Sequence, residues 1–110
     1  MNKGRRTALV EIQGKLKEIE EKAVELRDEL QDLSSDIESV KDEEEAAFDN
    51  LPESLQESSK GEAMQEAMDA MDNAMGVIED IVSAVEAYMD ETDSLFTDVT
   101  DHLQEAIDAK

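Results

Sequence analysis

The residues best suited to recognition are the carboxylates of the segment 62–109. This segment contains fourteen Asp and Glu residues and no Lys or Arg. Four of them, Asp72, Glu79, Glu86 and Asp93, recur every seven residues, so on a helix they form a line with about 10.5 Å between neighbours. Fixed negative charges in such a line attract cationic groups. The pattern therefore predicts electrostatic binding of a basic partner.

Catalytic chemistry is not expected. His102 is the only histidine, and because no nucleophile or oriented partner accompanies it, we expect a satisfied or half-buried side chain. The serines and threonines have no histidine or lysine base near them, and the chain has no glycine-rich phosphate loop. We predict that the protein is not an enzyme, with no catalytic residue and no cofactor.

Metal binding is not expected either. A di-metal helical bundle requires Glu three residues before His, but Val99 occupies that position relative to His102. Asp90, Asp93 and Asp98 lack the spacing and the glycine of a calcium loop. Four methionines share helical spacing without a Cys or second His, which indicates core packing rather than a copper site: Met64, Met68, Met71 and Met75.

Two long helices must position these side chains. In each, apolar residues alternate in steps of four and three, the heptad spacing of a helix with one buried seam. In the second helix the seam is Met64, Met68, Met71, Met75, Ile78, Val82, Val85, Met89, Thr92, Phe96, Val99, Leu103 and Ala106. In the first helix the a positions are Leu9, Leu16, Ala23, Leu30 and Ile37, and the d positions are Ile12, Ile19, Leu26, Leu33 and Val40.

A bend with strong helix-stop signals separates the two helices. Pro52 disfavours helical backbone at the residue before it and suits the first position of a short turn over 53–57. Ser59 and Glu62 have the spacing of a capping box. We predict a helix over about residues 5–48, a bend over 49–61 and a helix over about 62–109. They would fold back antiparallel as a single all-α helical-hairpin domain, residues 1–110.

The antiparallel register and the surplus apolar surface suggest further contacts. If level residues have numbers that add to 113, Lys41 pairs with Asp72 and Arg27 with Glu86. The second helix has more apolar surface than one neighbour covers. We predict that two hairpins associate as a homodimeric four-helix bundle, through the strip Ala67, Ala70, Ala74, Ile81, Tyr88 and Leu95. The alternative is a monomer that binds another protein through the same strip.

The net charge of −21, from 31 acidic and 10 basic residues, limits the classes of partner. It opposes direct binding of nucleic acid or anionic membranes and favours basic proteins. Residues 1–27 carry seven basic and five acidic groups, whereas residues 28–110 carry three and twenty-six. Without Cys there is no disulfide framework. No apolar run suits a membrane span or an export signal, so we expect a cytoplasmic protein.

The predicted partner-binding face draws on both helices. Glu44 occupies a position where the heptad requires an apolar residue, so the acidic run 42–45 is either a solvated helix end or an acidic knob for a partner. The second helix carries about one acid per 5 Å, compared with one charge per about 1.7 Å in DNA. The face comprises Glu43, Glu44, Glu45, Asp69, Asp72, Glu79, Asp80, Glu86, Asp90 and Asp93.

Residues 43–58, EEEAAFDNLPESLQES, followed by Gly61 and Glu62, resemble a family of small acidic helical-hairpin proteins of bacteria and their phages. In that family an acidic helix leads into an aromatic-Asp-Asn-apolar-Pro-Glu-x-Leu-Gln-x-Ser bend and then into a second acidic helix. Most members are uncharacterised, and small phage proteins of this composition resemble inhibitors of host defence or nucleic-acid enzymes. The resemblance implies a tip that contacts a partner, formed by Phe48, Asp49, Asn50, Leu51 and Pro52. Alternatively, the tip only closes the hairpin.

We therefore expect a non-enzymatic protein that mimics nucleic acid in a bacterial host cell. It would act as a phage-type inhibitor that blocks a basic or nucleic-acid-binding protein of host defence or DNA processing. The alternative is a structural or adaptor coiled-coil module whose acids keep it soluble. Mimicry predicts binding that weakens steeply with salt, whereas the structural hypothesis predicts indifference to salt.

Overall fold

The computed structural model describes residues 1–109, which contain two long helices, one short helix and no strand. Helix α1 spans Lys3–Asp49, α2 spans Glu53–Gln56 and α3 spans Ser59–Asp108. The predicted all-α class with two long helices is confirmed. Lys110, which ends the predicted domain, lies outside the described residues.

Helix α1 begins earlier than the heptad pattern indicates. The Asn2 side-chain Oδ1 accepts a hydrogen bond from the Arg5 backbone N–H at 2.8 Å, and the Asn2 carbonyl accepts one from the Arg6 N–H at 3.2 Å. Asn2 therefore acts as an N-cap that satisfies a backbone donor left free at the helix start.

The bend is held by the side chain of Gln56. Its Nε2 donates to the Phe48 carbonyl at 3.1 Å and to the Leu51 carbonyl at 3.2 Å. Both carbonyls lie where α1 ends, so Gln56 supplies donors that the terminating helix lacks. Pro52 was predicted to be the first helical residue of this turn, but it is the N-cap of α2. Its carbonyl accepts the Leu55 N–H at 2.9 Å.

Gly61 permits the close approach of α2 and α3. It is buried, and a Cβ added to it would lie 1.9 Å from the Gln56 carbonyl oxygen. The predicted capping box is wrong, because Ser59 already lies inside α3 and the Glu62 N–H bonds to the Ser58 carbonyl at 3.0 Å. Helix α3 therefore begins at Ser59, three residues before the predicted start at Glu62.

The chain divides into two compact units. Unit 1 consists of Met1–Arg27 and Ala84–Lys110, and unit 2 consists of Asp28–Ser83. In unit 1, Gln13 Nε2 donates to the Thr100 carbonyl at 3.2 Å, and Arg6 Nη2 donates to the Ala109 carbonyl at 2.9 Å. These bonds join the start of α1 to the end of α3, so the two segments run antiparallel.

In unit 2 the two long helices also run antiparallel on either side of the bend. Lys41 Nζ lies 2.6 Å from Asp72 Oδ1, so the predicted pair is present. The numbers of these two residues add to 113, as do those of Gln13 and Thr100 in unit 1. The Arg27–Glu86 pair stays a prediction.

The seam of α3 follows the predicted heptads closely. Val82 is buried with 8% of its surface exposed, and every other predicted position except Val99 is half-buried. Thr92, the polar member, donates its hydroxyl to the Tyr88 carbonyl at 2.7 Å. Its polarity is thereby satisfied within its own helix. With Val82 counted as an a position of α3, Val99 is a d residue, and d residues lie on the side of the seam next to the g row that contains Tyr88. Val99 is exposed and extends the apolar surface on that side.

The predicted seam of α1 is wrong at every d position. The a residues are half-buried as expected, but their neighbours in the contact are e residues: Gln13, Glu20, Arg27, Ser34, Lys41 and Phe48. The d residues are exposed: Ile12, Ile19, Leu26, Leu33 and Val40. Most of the e side chains are long or amphipathic, so their apolar stems can cover the seam while their polar ends reach solvent or α3. Compared with the prediction, helix α1 is rotated about its axis, so that its a and e residues face α3 and its apolar d residues face outward.

In the part of the chain that the structure describes, neither long helix has a stretch with the hydropathy and low charge of a membrane span.

Candidate interaction surfaces

An acidic groove with an apolar floor lies in unit 2, beside the bend. Phe48 and Met68 line it together with five charged residues and Gln65: Lys41, Glu45, Asp49, Asp69 and Asp72. The groove brings residues of the predicted acidic face together with residues of the predicted tip. A Lys or Arg side chain of a partner fits this chemistry, because its stem can lie on the apolar floor while its charge meets the carboxylates.

Lys41 is the one cation in this groove. The hydrogen bond to Asp72 is the largest influence on the pKa of Lys41 and raises it, desolvation lowers it by less, and the negative charges of Asp72, Glu45 and Asp42 raise it further. Asp72 is therefore engaged by Lys41. Glu45 and Asp69 are exposed in the same groove and are better placed to meet a cation from outside.

The rest of the predicted acidic face is distributed over both units. In unit 2, Glu43 and Asp80 are exposed, Glu44 is half-buried at its a position, and Glu79 lines a shallow groove with Ile78 and Val82. In unit 1 the three remaining acids are all exposed: Glu86, Asp90 and Asp93. The structure thus gathers only part of the face, Glu45, Asp69 and Asp72, around one groove.

The predicted tip combines packed and exposed side chains. Phe48 and Leu51 are half-buried, whereas Asp49, Asn50 and Pro52 are exposed. The Phe48 and Leu51 carbonyls are the acceptors for Gln56. Closing the hairpin therefore occupies the backbone of the tip and leaves Asp49, Asn50 and Pro52 as its outward-facing side chains.

The predicted dimer strip on α3 is exposed along its whole length: Ala67, Ala70, Ala74, Ile81, Tyr88 and Leu95. The d row of α1, placed inside the hairpin by the sequence analysis, is exposed as well. Exposed apolar surface is thus carried by both long helices. The sequence offered no signal for this, because the e residues of α1 are mostly polar and its d residues are apolar, which favours a seam at a and d.

His102 was predicted to be satisfied or half-buried, and the half-buried alternative is wrong. Its side chain is 77% exposed, and its Nδ1 lies 3.5 Å from Glu105 Oε2 one turn away. A g position faces away from the seam once α1 packs on the a and d residues of α3. Within residues 1–109 no group of three or more His, Cys, Asp or Glu residues is arranged to hold a metal ion.

A second groove, in unit 1, was not predicted. Its apolar walls include Val10, Leu16 and Phe96, and its polar rim includes Gln13 and Thr100. The Gln13 side chain bridges the rim by donating to the Thr100 carbonyl and to Gln104 Oε1 at 3.3 Å. The groove follows from the rotation of α1, which places e residues rather than d residues against α3.

Comparison of the chain with models of protein families, with curated proteins and with solved structures found no match.

Proposed function

We propose that this protein is a non-enzymatic inhibitor that binds a basic, nucleic-acid-binding protein by presenting a surface of carboxylates in place of DNA phosphates. The observation that carries the proposal is the charge of unit 2. Residues 28–83 contain eighteen acidic and two basic residues, which gives a formal charge of −16. Lys41, one of the two basic residues, is already paired with Asp72.

The density of this charge is close to that of a nucleic acid. The two helix segments of unit 2 are each about 35 Å long at 1.5 Å per residue. Sixteen of the eighteen acids lie on these two segments, which amounts to about one per 2 Å, compared with one per about 1.7 Å of duplex DNA. Helices fix these charges in space, so a cationic cleft that binds DNA would meet preorganised carboxylates.

The acidic groove adds a specific element to this general attraction. Long-range charge speeds association and selects for basic partners, but it does not by itself fix an orientation. The groove offers Glu45 and Asp69 above an apolar floor of Phe48 and Met68. An Arg or Lys side chain of the target would be held there by both charge and stem packing. Because residues 43–58 of this chain resemble bacterial and phage proteins, the proposed target is a protein of host defence or DNA processing in the bacterial cytoplasm.

The proposed assembly is a homodimer of hairpins arranged as a four-helix bundle. The exposed rows on α1 and α3 support it, since exposed apolar surface of this extent marks an interaction site. The same rows favour the second candidate function, a structural or adaptor coiled-coil module in which association through apolar rows is the purpose of the protein. The two hypotheses differ in which surface a partner requires.

A pull-down from bacterial lysate distinguishes them. The purified protein is immobilised, and retained proteins are eluted first with duplex DNA and then with high salt. Mimicry predicts that a nucleic-acid-binding protein, identified by mass spectrometry, is displaced by the DNA. Partners that resist both DNA and salt would support the structural module instead, because apolar contacts are insensitive to screening.

A further inference from the structure

We propose that a second copy of this chain docks on the apolar strip of unit 1, formed by Ile12, Ile19, Leu26, Tyr88 and Leu95, with its two-fold axis parallel to the helices. This inference rests on the proposed homodimer and specifies its geometry. In this geometry α1 of one copy packs on α3 of the other. Lys15 and Lys22 then face the partner's Asp98 and the partner's Glu91.

The five residues of the unit 1 strip lie on one side of the helix pair. Gln13 Nε2 donates to the Thr100 backbone carbonyl, so these two e residues mark one flank of the antiparallel pair. On a helical wheel the d positions of α1 and the g positions of α3 both lie on the opposite flank. They are also level in pairs: the numbers of Ile19 and Leu95 add to 114, as do those of Leu26 and Tyr88.

These side chains lack cover within the chain. The exposed fractions are 52% for Ile19, 47% for Leu26, 48% for Tyr88 and 57% for Leu95. Meanwhile the polar Gln13, Glu20 and Arg27 are half-buried in the intrachain contact. A helix that turns polar e residues inward and apolar d residues outward has its most apolar face available for a second partner.

The chain exposes more surface than a folded monomer of its mass, and the excess is large enough for a dimer interface. The accessible area is 7896 Å², whereas a folded monomer of 12.2 kDa exposes about 6,100 Å² by the usual scaling with mass. The excess, about 1,800 Å², is larger than the area of about 800 Å² that each partner contributes to a standard interface. Among residues 1–109, Val82 is the only buried hydrophobic side chain, so the chain has little core of its own.

The charges beside the strip identify the occupant. The g row of α1 borders one edge and presents Lys15 and Lys22, whereas the c row of α3 borders the other edge and presents Glu91 and Asp98. All four are exposed, and none forms an ion pair within residues 1–109. One edge of unit 1 is therefore basic and the other acidic.

A second copy matches these edges in one orientation. Rotation by 180° about an axis parallel to the helices keeps each residue at its level and lays α3 of one copy over α1 of the other. The numbers of Lys15 and Asp98 add to 113, and so do those of Lys22 and Glu91, so opposite charges meet on both edges. If the units instead met with the axis perpendicular to the helices, lysines would face lysines and acids would face acids, which is unfavourable.

Engineered disulfides test the geometry, because the chain contains no Cys. Lys22 and Glu91 lie on opposite edges of the strip, too far apart to bridge within one hairpin. The double variant Lys22→Cys/Glu91→Cys is expected to form a covalent dimer under mild oxidation. Each single variant is expected to form no cross-link. Cross-linking by Lys22→Cys alone would overturn the proposal and indicate the perpendicular axis. Failure of the double variant to form a covalent dimer would also overturn the proposal.

Sedimentation of charge variants provides the second measurement. Lys15→Glu/Lys22→Glu should weaken dimerisation about tenfold or more, and adding Glu91→Lys/Asp98→Lys should restore it at the original net charge. If the swap does not restore dimers, the edge pairing is wrong although the dimer stands. If the unaltered protein sediments as a monomer, the dimer itself is wrong and the inference fails with it, whereas binding of a partner by unit 2 is unaffected. Circular dichroism of each variant confirms that the helices are intact.

Discussion

The Lys41 ammonium and the Asp72 carboxylate lie 2.6 Å apart in unit 2, joining α1 to α3 beside the bend. Both side chains keep solvent contact, with exposed fractions of 26% and 49%. The pair fixes the register in which residue numbers add to 113. It also neutralises part of the acidic groove, so its removal should affect binding more than folding.

Replacing Lys41 with Met should tighten binding of a cationic partner and change stability little. The variant removes the only cation of the groove, and an exposed pair contributes weakly and is screened by salt. Urea unfolding should show a small loss of stability at low salt that disappears at high salt. A large loss that persists at high salt would show that the pair has a structural role that the exposure does not explain.

The same pair predicts the sign of a pH effect. The hydrogen bond to Asp72 raises the pKa of Lys41 above 10.5 in the folded protein. A raised lysine pKa stabilises the fold below the unfolded value, and the contribution is lost as pH rises through the folded pKa. The stability difference between the unaltered protein and Lys41→Met should therefore be constant near neutral pH and shrink above pH 10.5. Unfolding curves at several alkaline pH values measure it.

Replacing Gly61 with Ala should destabilise the bend. The added Cβ would lie 1.9 Å from the Gln56 carbonyl oxygen, so backbone must shift, at a cost of about 1–3 kcal/mol. Gly76→Ala is the matched control in the same helix, because nothing lies within 4 Å of its added Cβ. The control should gain about 0.5–1 kcal/mol from helix propensity. Equal effects of the two variants in urea unfolding would contradict the close approach of α2 and α3.

Replacing Gln56 with Ala should loosen the end of α1. It removes the donors to the Phe48 and Leu51 carbonyls, and each lost bond costs about 0.5–1.5 kcal/mol. Gln31→Ala is the control, since Gln31 is exposed on α1 and lies far along the helix from the bend. Amide hydrogen exchange should accelerate locally around residues 46–51 in Gln56→Ala and not in the control. Exchange that stays slow there would show that α1 ends stably without Gln56.

The apolar row predicts an asymmetry between two exposed residues of α1. Leu26→Asp should dissociate the dimer, because it places a charge at a d position of the strip. Val10→Asp should leave the dimer intact, because Val10 lies on the other flank, in the groove with Gln13. Both residues are about half exposed, at 47% and 53%. Sedimentation of the two variants compares them, and equal behaviour would show that neither flank is selective.

The seam of α3 and the rotation of α1 differ in how far sequence could predict them. The heptads of α3 correctly identified its buried side, which includes Met68, Ile78 and Val82, although neighbouring rows of that helix are apolar as well. In α1 the row of Ile19 and Leu26 is equally apolar, yet it faces outward. Periodicity identifies a face that must be covered but does not say whether the chain itself or another molecule covers it.

The candidate site shows the same limit. The acidic composition around Glu45 and Asp69 was evident from the sequence, and so was the proximity of Lys41 to Asp72 once the register was chosen. The apolar floor of Phe48 and Met68 was not predicted, because it depends on how the two helices meet beside the bend. The role of Gln56 was hidden for the same reason, since a side chain that bonds backbone eight residues away leaves no periodic signal.

The measurement closest to the central proposal compares two variants with the same net charge. Glu45→Gln/Asp69→Asn/Glu79→Gln neutralises acids of unit 2, and Glu11→Gln/Glu18→Gln/Glu21→Gln neutralises three exposed acids of unit 1. Each is immobilised, and the amount of nucleic-acid-binding protein retained from bacterial lysate is measured at low salt. Mimicry centred on unit 2 predicts that the first variant loses most of the retained protein and the second loses little. Equal retention by both variants, at the level of the unaltered protein, would contradict it.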